Sequence, residues 1–359
     1  MPNRQSMSIS FKTESVIRLD SGRFLFAAIS HVQNRLVMVG MHYFDEPIDY
    51  DSVMVLSAGR CLRFDKAIHA DMEPCVVFSS EIGADSVDLD IVYRGQGWRV
   101  RPERQQMPSS RWSLMTLFKD DYELLPEFVR YYRSLGVGAF YLYYNGKLGD
   151  VDWTFLRTAS GIDGAYIVLT EWDVPYWWSL RANGANATYN ARGQQHHAQT
   201  MAINHYLHTA KGRSEYAFFV DLDEYVFTPG PVLEHYCRKG LSAILFQCWF
   251  AAGRDDSYRS FLSDPNAIIC VKNWGEGPFR RMKGLVRLAD VSIMGIHKPR
   301  VWFDRGKLIL LNGLFHMRSS VSGPMRCSAR SELVRDLLAE NLTLARLGLN
   351  SDDYEIQLL

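Results

Sequence analysis

The sequence has no long apolar run and no excess of either charge. Its 359 residues contain 40 Lys and Arg against 40 Asp and Glu. A balanced chain has no overall field that would attract nucleic acid, so we expect no nucleic-acid partner. No window approaches the roughly 18 apolar residues that a membrane helix needs, and no basic stretch followed by an apolar segment opens the chain. We therefore expect a cytoplasmic protein without a transmembrane segment, compatible with peripheral attachment to a membrane.

Cysteine is scarce and scattered. The six cysteines form no Cys-x-x-Cys pair and no zinc-finger spacing. Internal repeats and low-complexity tracts are also lacking. These absences exclude zinc-ribbon and repeat architectures, and we interpret the cysteines as mostly buried thiols.

Two kinds of hydrophobic pattern divide the chain. In residues 14–100, short alternating runs such as 35–39 and 87–93 are broken by Gly, Asp and Pro, which predicts an antiparallel β module. The polar stretch 101–110 has the composition of a linker. We expect an N-terminal β-rich module over residues 1–105 and a domain boundary behind it.

Beyond the linker, predicted strands alternate with predicted helices. Asp121 can cap the first helix, Pro126 suits its first turn and Gly136 ends it. The pattern predicts an α/β domain with a mostly parallel central sheet and flanking helices over residues 111–322, then a helical C-terminal tail over 323–359 that packs on the core. The individual strands are expected at 112–118, 138–144, 165–170 and 216–220, and a long, largely buried helix at 194–210.

An acidic motif follows the fourth of these strands. Asp221 and Asp223 are separated by one residue, which in extended chain puts both carboxylates on one side. Ligands bind outside the carboxyl ends of strands in open α/β sheets. Two hard oxygen ligands at such a place could hold Mn²⁺ or Mg²⁺ against the diphosphate of a nucleotide sugar. Apolar residues on both sides of the motif favour this interpretation over a solvated turn.

Several short motifs follow one another in a fixed order. They are Lys119-Asp120-Asp121, residues 127–137 and 140–145, the set Gln199, Ala202, Asn204 and Leu207, residues 221–225, 283–287 and 297–299, and His316 with Arg318 and Ser319. In this order they resemble the glycosyltransferase 2-like group that includes glycosyltransferase family 92. The resemblance covers about residues 112–322, and it departs from the family where Asp120 and Asp121 stand for Asn and Glu, and around Trp249.

The resemblance implies a GT-A fold and a metal-dependent, inverting hexosyltransferase that uses a nucleotide-diphosphate sugar, with a UDP-sugar as the leading candidate. It implies a metal site formed by Asp221, Asp223 and His316. The acceptor would be a glycan or another hydroxyl compound. The residues expected to bind the donor nucleotide are Lys119, Asp121, Asn145, Gln199, Asp221, Lys283 and His297.

Two further features bear on substrate binding. A basic stretch needs an anion, and a diphosphate suits it; its members are Lys272, Arg280, Arg281, Lys283, Arg287, His297, Lys298 and Arg300. The aromatic run Tyr176-Trp177-Trp178 lies in an expected loop and suits either a sugar-stacking surface or a partner surface. The adjacent His196 and His197 face apart, and we expect structural roles for them.

Direct displacement at an anomeric carbon also needs a base to take the acceptor proton. Three loop acids are candidates, Asp255, Asp256 and Glu276, and the sequence does not choose among them. Two other functions stay open: a metal-dependent nucleotidyl- or phosphotransferase, which also uses paired aspartates, and a non-catalytic carbohydrate-binding protein on a transferase scaffold.

Overall fold

The computed structural model describes residues 8–13, 15–69, 73–83, 87–119, 122–158, 165–179, 194–226, 228, 230–253, 268–272, 282–302, 307–317 and 356–358. No helix in these ranges is long and apolar enough to cross a membrane.

The N-terminal part of the chain is built from short strands. They are β1 (Ser8–Thr13), β2 (Ser15–Arg18), β3 (Phe24–Val32), β4 (Arg35–Gly40), β5 (Met54–Ser57), β6 (Arg60–Cys61), β7 (Asp65–His69), β8 (Cys75–Glu81), β9 (Leu89–Tyr93), β10 (Gln96–Val100) and β11 (Arg104–Gln105). Most belong to two sheets, with strand orders β11-β3-β4-β8-β7 (β2 also pairs with β3) and β10-β9-β5-β6. Every pair in these sheets is antiparallel except β11 with β3.

The predicted antiparallel strands are present, and their sequence patterns match their burial. Strand β9 alternates buried and half-buried residues, as a strand with one face toward a core does. Strand β3 is buried along its whole length because both its faces are covered. The stretch expected to be a linker contains β11, which pairs with His31 and Val32, and the nearby Met107 is buried. The stretch is therefore attached to the module at β11 and Met107, although about half of its residues are exposed.

The remainder of the described chain is a mixed α/β structure. Its strands and helices are β12 (Ser110–Phe118), α1 (Leu125–Ser134), β13 (Ala139–Tyr144), α2 (Thr154–Thr158), β14 (Tyr166–Glu171), β15 (Trp177–Ser179), β16 (Gln194–His196), α3 (Ala198–Ala210), β17 (Ser214–Phe219), β18 (Glu224–Val226), α4 (Gly230–Arg238), β19 (Ala243–Gly253), β20 (Ile268–Lys272), β21 (Met282–Arg287), β22 (Val291–Met294), β23 (Pro299–Trp302), β24 (Lys307–Met317) and β25 (Ile356–Leu358).

An 11-stranded sheet organises this part, with the order β1-β14-β13-β12-β17-β21-β19-β24-β18 and β20 and β25 paired to β19 and β24. The α/β class is confirmed. The pairs from β1 to β17 are all parallel, whereas β21 is antiparallel to both its neighbours, so the sheet is mixed rather than mostly parallel. Chain order runs β12, β13, β14 toward one edge and then returns to β17 on the other side of β12. The connections therefore reverse direction between β12 and β17, which is where open α/β sheets bind ligands.

The predicted first helix is α1. Pro126 lies in its first turn, where a missing N–H costs nothing, and Gly136 ends it with φ +109°. Its buried face packs under the sheet, and the Tyr132 hydroxyl donates a hydrogen bond to the Glu224 carbonyl at 2.7 Å. Asp121, the expected cap, lies outside the described residues. The helix thus supports the chain just after the acidic motif.

Helix α3 lies between the N-terminal sheet that contains β3, β4 and β8 and the large sheet. All 13 of its residues are buried, as predicted from apolar residues on two of its faces. His205 joins the two sides, because its Nε2 bonds Ser30 Oγ of β3 and its Nδ1 bonds Tyr143 Oη of β13, each at 2.7 Å. One hydrophobic core consequently contains residues of both parts of the chain.

Two local predictions were wrong. The helix expected over 194–210 begins at Ala198, because Gln194–His196 pairs with Trp177–Ser179 as strand β16. The same pairing makes the expected loop at Trp177 and Trp178 a strand, β15. Of the predicted helical tail over 323–359, residues 356–358 form strand β25, which pairs with β24, and the others lie outside the described residues.

Candidate active site

The acidic motif follows β17 at the point where the strand order reverses. Val220 is buried, and the chain then turns, with the Glu224 N–H donating to the Asp221 carbonyl at 3.0 Å. Glu224 begins β18, which pairs with β24. The turn leaves Asp221 and Asp223 partly exposed and directs Leu222 into the core. The motif is therefore anchored at both ends while its two aspartates remain accessible.

A hydrogen-bonded network holds the first aspartate. Gln199, in the first turn of α3, donates from Nε2 to Asp221 Oδ1 at 2.8 Å, and Lys283 Nζ lies 2.9 Å from Oδ2. Tyr176 Oη donates to Gln199 Oε1 at 2.8 Å. The same Lys283 lies 3.4 Å from Glu224 Oε2, which also accepts the Asp221 N–H at 2.8 Å. Gln199 of α3 and Lys283 of β21 thus contact the Asp221 carboxylate directly, and Tyr176 and Glu224 hold these two side chains in place.

Lys283 is the only lysine described as buried, and its charge is balanced by two acids. Burial alone lowers the pKa of an amine, but the charges of Asp221 and Glu224 outweigh that effect and raise the pKa of Lys283 above its ordinary value. The side chain is 3% exposed. Lys283 therefore stays protonated at neutral pH and fixes the orientation of Asp221.

The ends of the two neighbouring parallel strands complete the site. Lys119 follows β12 and is exposed. Asn145 follows β13, and its Nδ2 donates to the carbonyls of Trp172 and Val174 at 2.8 and 2.7 Å. Asn145 therefore holds the chain after β14 in place and also lines the cleft. Its structural role was not predicted, since the sequence suggested donor binding alone.

Three adjoining cavities form one cleft along these strand ends. The first, about 190 Å³, is lined by Leu117, Phe118, Lys119, Asn145, Tyr176, Asp221, Leu222 and Asp223. The second, about 450 Å³, shares Lys119, Asn145 and Tyr176 with the first. The third, about 190 Å³, shares Arg18, Asp173 and Val174 with the second. An elongated ligand could thus extend from the acidic motif toward the N-terminal module.

The main chain of His316 lies beside the motif. Strands β18 and β24 pair so that His316 lies opposite Glu224, which is the residue that follows Asp223 in the chain. Its side chain lies outside the described residues. Among the side chains that are described, no three His, Cys, Asp or Glu are grouped as a metal site. The predicted triad therefore stays a prediction, with two aspartates on the cleft and the third ligand on the adjacent strand.

Among the members of the basic stretch whose side chains are described, no single basic surface is formed. Arg287 pairs with Asp290 at 2.7 Å, and Arg300 pairs with Glu73 at 2.9 Å. His297 is partly exposed in the turn between β22 and β23. In β22, the Ser292 carbonyl contacts His208 and the Met294 carbonyl contacts Asn204, so β22 runs antiparallel to α3. The chain that leads to His297 therefore proceeds toward the end of α3 that carries Gln199. Of this stretch, Lys283 reaches the acidic motif. Arg280 and Arg281 lie outside the described residues.

The acids considered as the catalytic base, Asp255, Asp256 and Glu276, lie outside the described residues, as does Asp121. The structure does describe the histidine pair. His197 is buried, with Nε2 bonded to Tyr43 Oη at 2.9 Å and Nδ1 to the Pro175 carbonyl at 3.0 Å, which supports its structural role. His196 stacks on Trp177 with ring centroids 4.2 Å apart.

Two residues of the site were not predicted from the sequence. Glu224 lies beside the two aspartates in an apolar run, where an acid needs a buried partner, and that partner is Lys283. Arg18 lies in the N-terminal module, far from the motif in sequence, and no local pattern marked it.

Comparison with known protein families gives a match that begins within β12. The profile of the family described as Glycosyltransferase family 92 matches residues 113–336, well over half of the chain. No curated protein matches the chain. The matched segment begins within β12 and includes Asp221, Asp223, Lys283 and His316, whereas β1–β11 precede it.

Proposed function

This chain belongs to glycosyltransferase family 92, and on that premise we propose that it transfers a hexose from a nucleotide-diphosphate sugar to a hydroxyl group of a glycan or similar acceptor. The observation that carries the proposal is the cleft at the strand-order reversal, with Asp221 and Asp223 on its wall and Lys283 behind them. A diphosphate donor needs positive charge near its phosphates, and an acidic pair can recruit it as a divalent cation.

We also propose the GT-A arrangement for this part of the chain. It is supported by the parallel order β14-β13-β12-β17, with the acidic motif directly after the fourth strand in chain order. The large cleft lies across the carboxyl ends of the same strands. A UDP-sugar is the first donor to test.

Asp221, Asp223 and His316 are the residues proposed to hold Mn²⁺ or Mg²⁺. The donor set fits a hard divalent ion, because each carboxylate oxygen has two lone pairs and the contacts of Asp221 with Gln199 and Lys283 use one on each. The imidazole favours Mn²⁺ over Mg²⁺. When bound, the cation would neutralise charge that develops on the departing diphosphate.

The remaining steps are assigned to side chains of the chain. Lys119, exposed at the end of β12, would contact phosphate oxygens through charge-assisted hydrogen bonds. One of Asp255, Asp256 or Glu276 would accept the proton of the acceptor hydroxyl while its oxygen bonds to the anomeric carbon and the bond to the diphosphate oxygen breaks. A single displacement of this kind inverts the anomeric configuration.

The proposal is tested by a thermal-shift screen of sugar nucleotides with and without Mn²⁺. A donor that binds only the folded protein raises the melting temperature, by mass action, in a concentration-dependent way. We expect stabilisation by one nucleotide class, enhanced by Mn²⁺. If none of the UDP-, GDP-, ADP- or CMP-linked sugars raised the melting temperature above that of the ligand-free protein, the result would contradict a donor site in this cleft.

A further inference from the structure

The end of the cleft remote from the acidic motif is lined by a residue of the N-terminal module. Arg18, the last residue of β2, lines both the second and third cavities together with Asp173 and Val174. It does not line the first cavity, which contains Asp221 and Asp223. The family match begins at residue 113, so Arg18 precedes the matched segment.

Arg18 is exposed yet held in place. Its guanidinium carbon lies 4.4 Å from the centroid of the Phe24 ring, and Phe24 is fully buried, with its ring 5.2 Å from that of His197. Stacking on a fixed aromatic ring orients the guanidinium plane and reduces the conformational entropy that binding would cost. Among the described residues, Arg18 has no ion-pair partner. The guanidinium contacts the Phe24 ring and the residue is otherwise exposed, so guanidinium surface is left for a second planar group.

The surrounding wall suits a flat heterocycle better than a phosphate. Val174, Pro175 and Tyr176 supply apolar and aromatic surface in the second cavity, and the exposed Asp173 supplies a hydrogen-bond acceptor. A guanidinium plane stacks on aromatic rings, and a carboxylate can accept from ring or exocyclic N–H groups. The diphosphate, by contrast, is expected at the first cavity, beside Asp221, Asp223 and Lys119.

We propose that Arg18 stacks against the base of the nucleotide donor, with Asp173 beside it, so that the N-terminal module completes the donor site of the transferase. This inference rests on the proposed function, because it takes the ligand to be a nucleotide-diphosphate sugar. Arg18 is in this account a substrate-binding residue, and it determines affinity for the nucleoside half of the donor.

The test compares two probes, UDP and inorganic pyrophosphate, by calorimetry with Mn²⁺ present; GDP, ADP and CDP replace UDP if UDP does not bind. In Arg18→Gln, we expect the nucleotide affinity to fall by roughly tenfold and the pyrophosphate affinity to change by less than about twofold. Arg18→Lys keeps the charge but loses the plane, and it should weaken nucleotide binding nearly as much. Arg60→Gln, an exposed arginine of β6 in the same module, is the matched control and should bind like the wild type.

The outcomes separate the two proposals. Equal loss of nucleotide and pyrophosphate affinity in Arg18→Gln, or full nucleotide affinity in Arg18→Lys, would mean that Arg18 contacts phosphate and would overturn the stacking role. Unchanged nucleotide affinity in Arg18→Gln would overturn any role in the donor site while the proposed function stands. Failure of the wild-type protein to bind any of the four nucleotides would overturn both.

Discussion

Replacing Lys283 with methionine removes the positive charge on which the acidic motif depends. The side chain is 3% exposed, and the substitution preserves much of its volume, so the change is mainly electrostatic. Glu224, with a side chain that is also 3% exposed, would lose its partner at 3.4 Å and stay buried as an anion next to Asp221. Coulomb attraction at this distance is worth about 5 kcal/mol at an effective dielectric constant of about 20, and breaking a buried pair typically costs about 3 to 5 kcal/mol.

We therefore expect Lys283→Met to lower the free energy of unfolding by about 3 to 5 kcal/mol at pH 7, measured by urea denaturation. Lys147→Met, at an exposed position, is the control and should change it by less than about 0.5 kcal/mol. The double variant with Glu224→Gln should recover part of the loss, because it removes the stranded charge. A loss below about 1 kcal/mol for Lys283→Met alone would refute the buried ion-pair account.

Three other predictions follow from the same contacts. Asp223→Asn should keep the melting temperature of the wild type, weaken Mn²⁺ binding in the presence of UDP and lower activity by orders of magnitude. Equal Mn²⁺ affinities in the wild type, Asp223→Asn and His316→Ala would contradict the proposed metal triad. Gln199→Leu should release Asp221 Oδ1 and reduce nucleotide affinity by roughly tenfold, and unchanged calorimetric affinity would remove Gln199 from the site. Burial lowers the pKa of His197 to about 4, and burial together with the charge of Lys211 lowers the pKa of His208 to about 3. Each imidazole therefore stays neutral in the folded protein, whereas in the unfolded chain, where its pKa is 6.5, it takes a proton as the pH falls. Stability from these two groups should be complete above pH 6.5 and decline below it by about 1.4 kcal/mol per pH unit for each, as measured by urea denaturation; no decline between pH 6.5 and pH 5 would contradict their neutral burial.

The strands and helix nearest the acidic motif were predictable from local sequence. The apolar runs that became β12, β13, β14 and β17 are short and bounded by turn residues, and Pro126 and Gly136 marked the ends of α1 through backbone chemistry alone. The position of Asp221 at a strand end followed from the same reasoning. These features depend on neighbours in the chain.

Features that depend on distant pairing were not predictable in this way. The segment of β16 was predicted as the start of a helix, because its pairing with β15 is not visible in the local sequence. Arg287 and Arg300 were predicted as parts of a phosphate-binding stretch, whereas in the structure they pair with Asp290 and Glu73. Strand β1, near the start of the chain, pairs with β14 of the large sheet, and the paired residues are 158 positions apart in the sequence. Arg18 belongs to this class too, since only the packing of the N-terminal module brings it to the cleft.

The most direct test of the account is the mass balance of one reaction. Purified protein is incubated with Mn²⁺, the donor selected by the thermal-shift screen and a panel of glycan acceptors, and the products are quantified by mass spectrometry. The account predicts one nucleoside diphosphate released for each hexose added to acceptor hydroxyl groups, with the yield reduced by orders of magnitude in Asp223→Asn. A nucleoside monophosphate or a phosphorylated acceptor as the product, or equal yields from the wild type and Asp223→Asn, would contradict glycosyl transfer at this site.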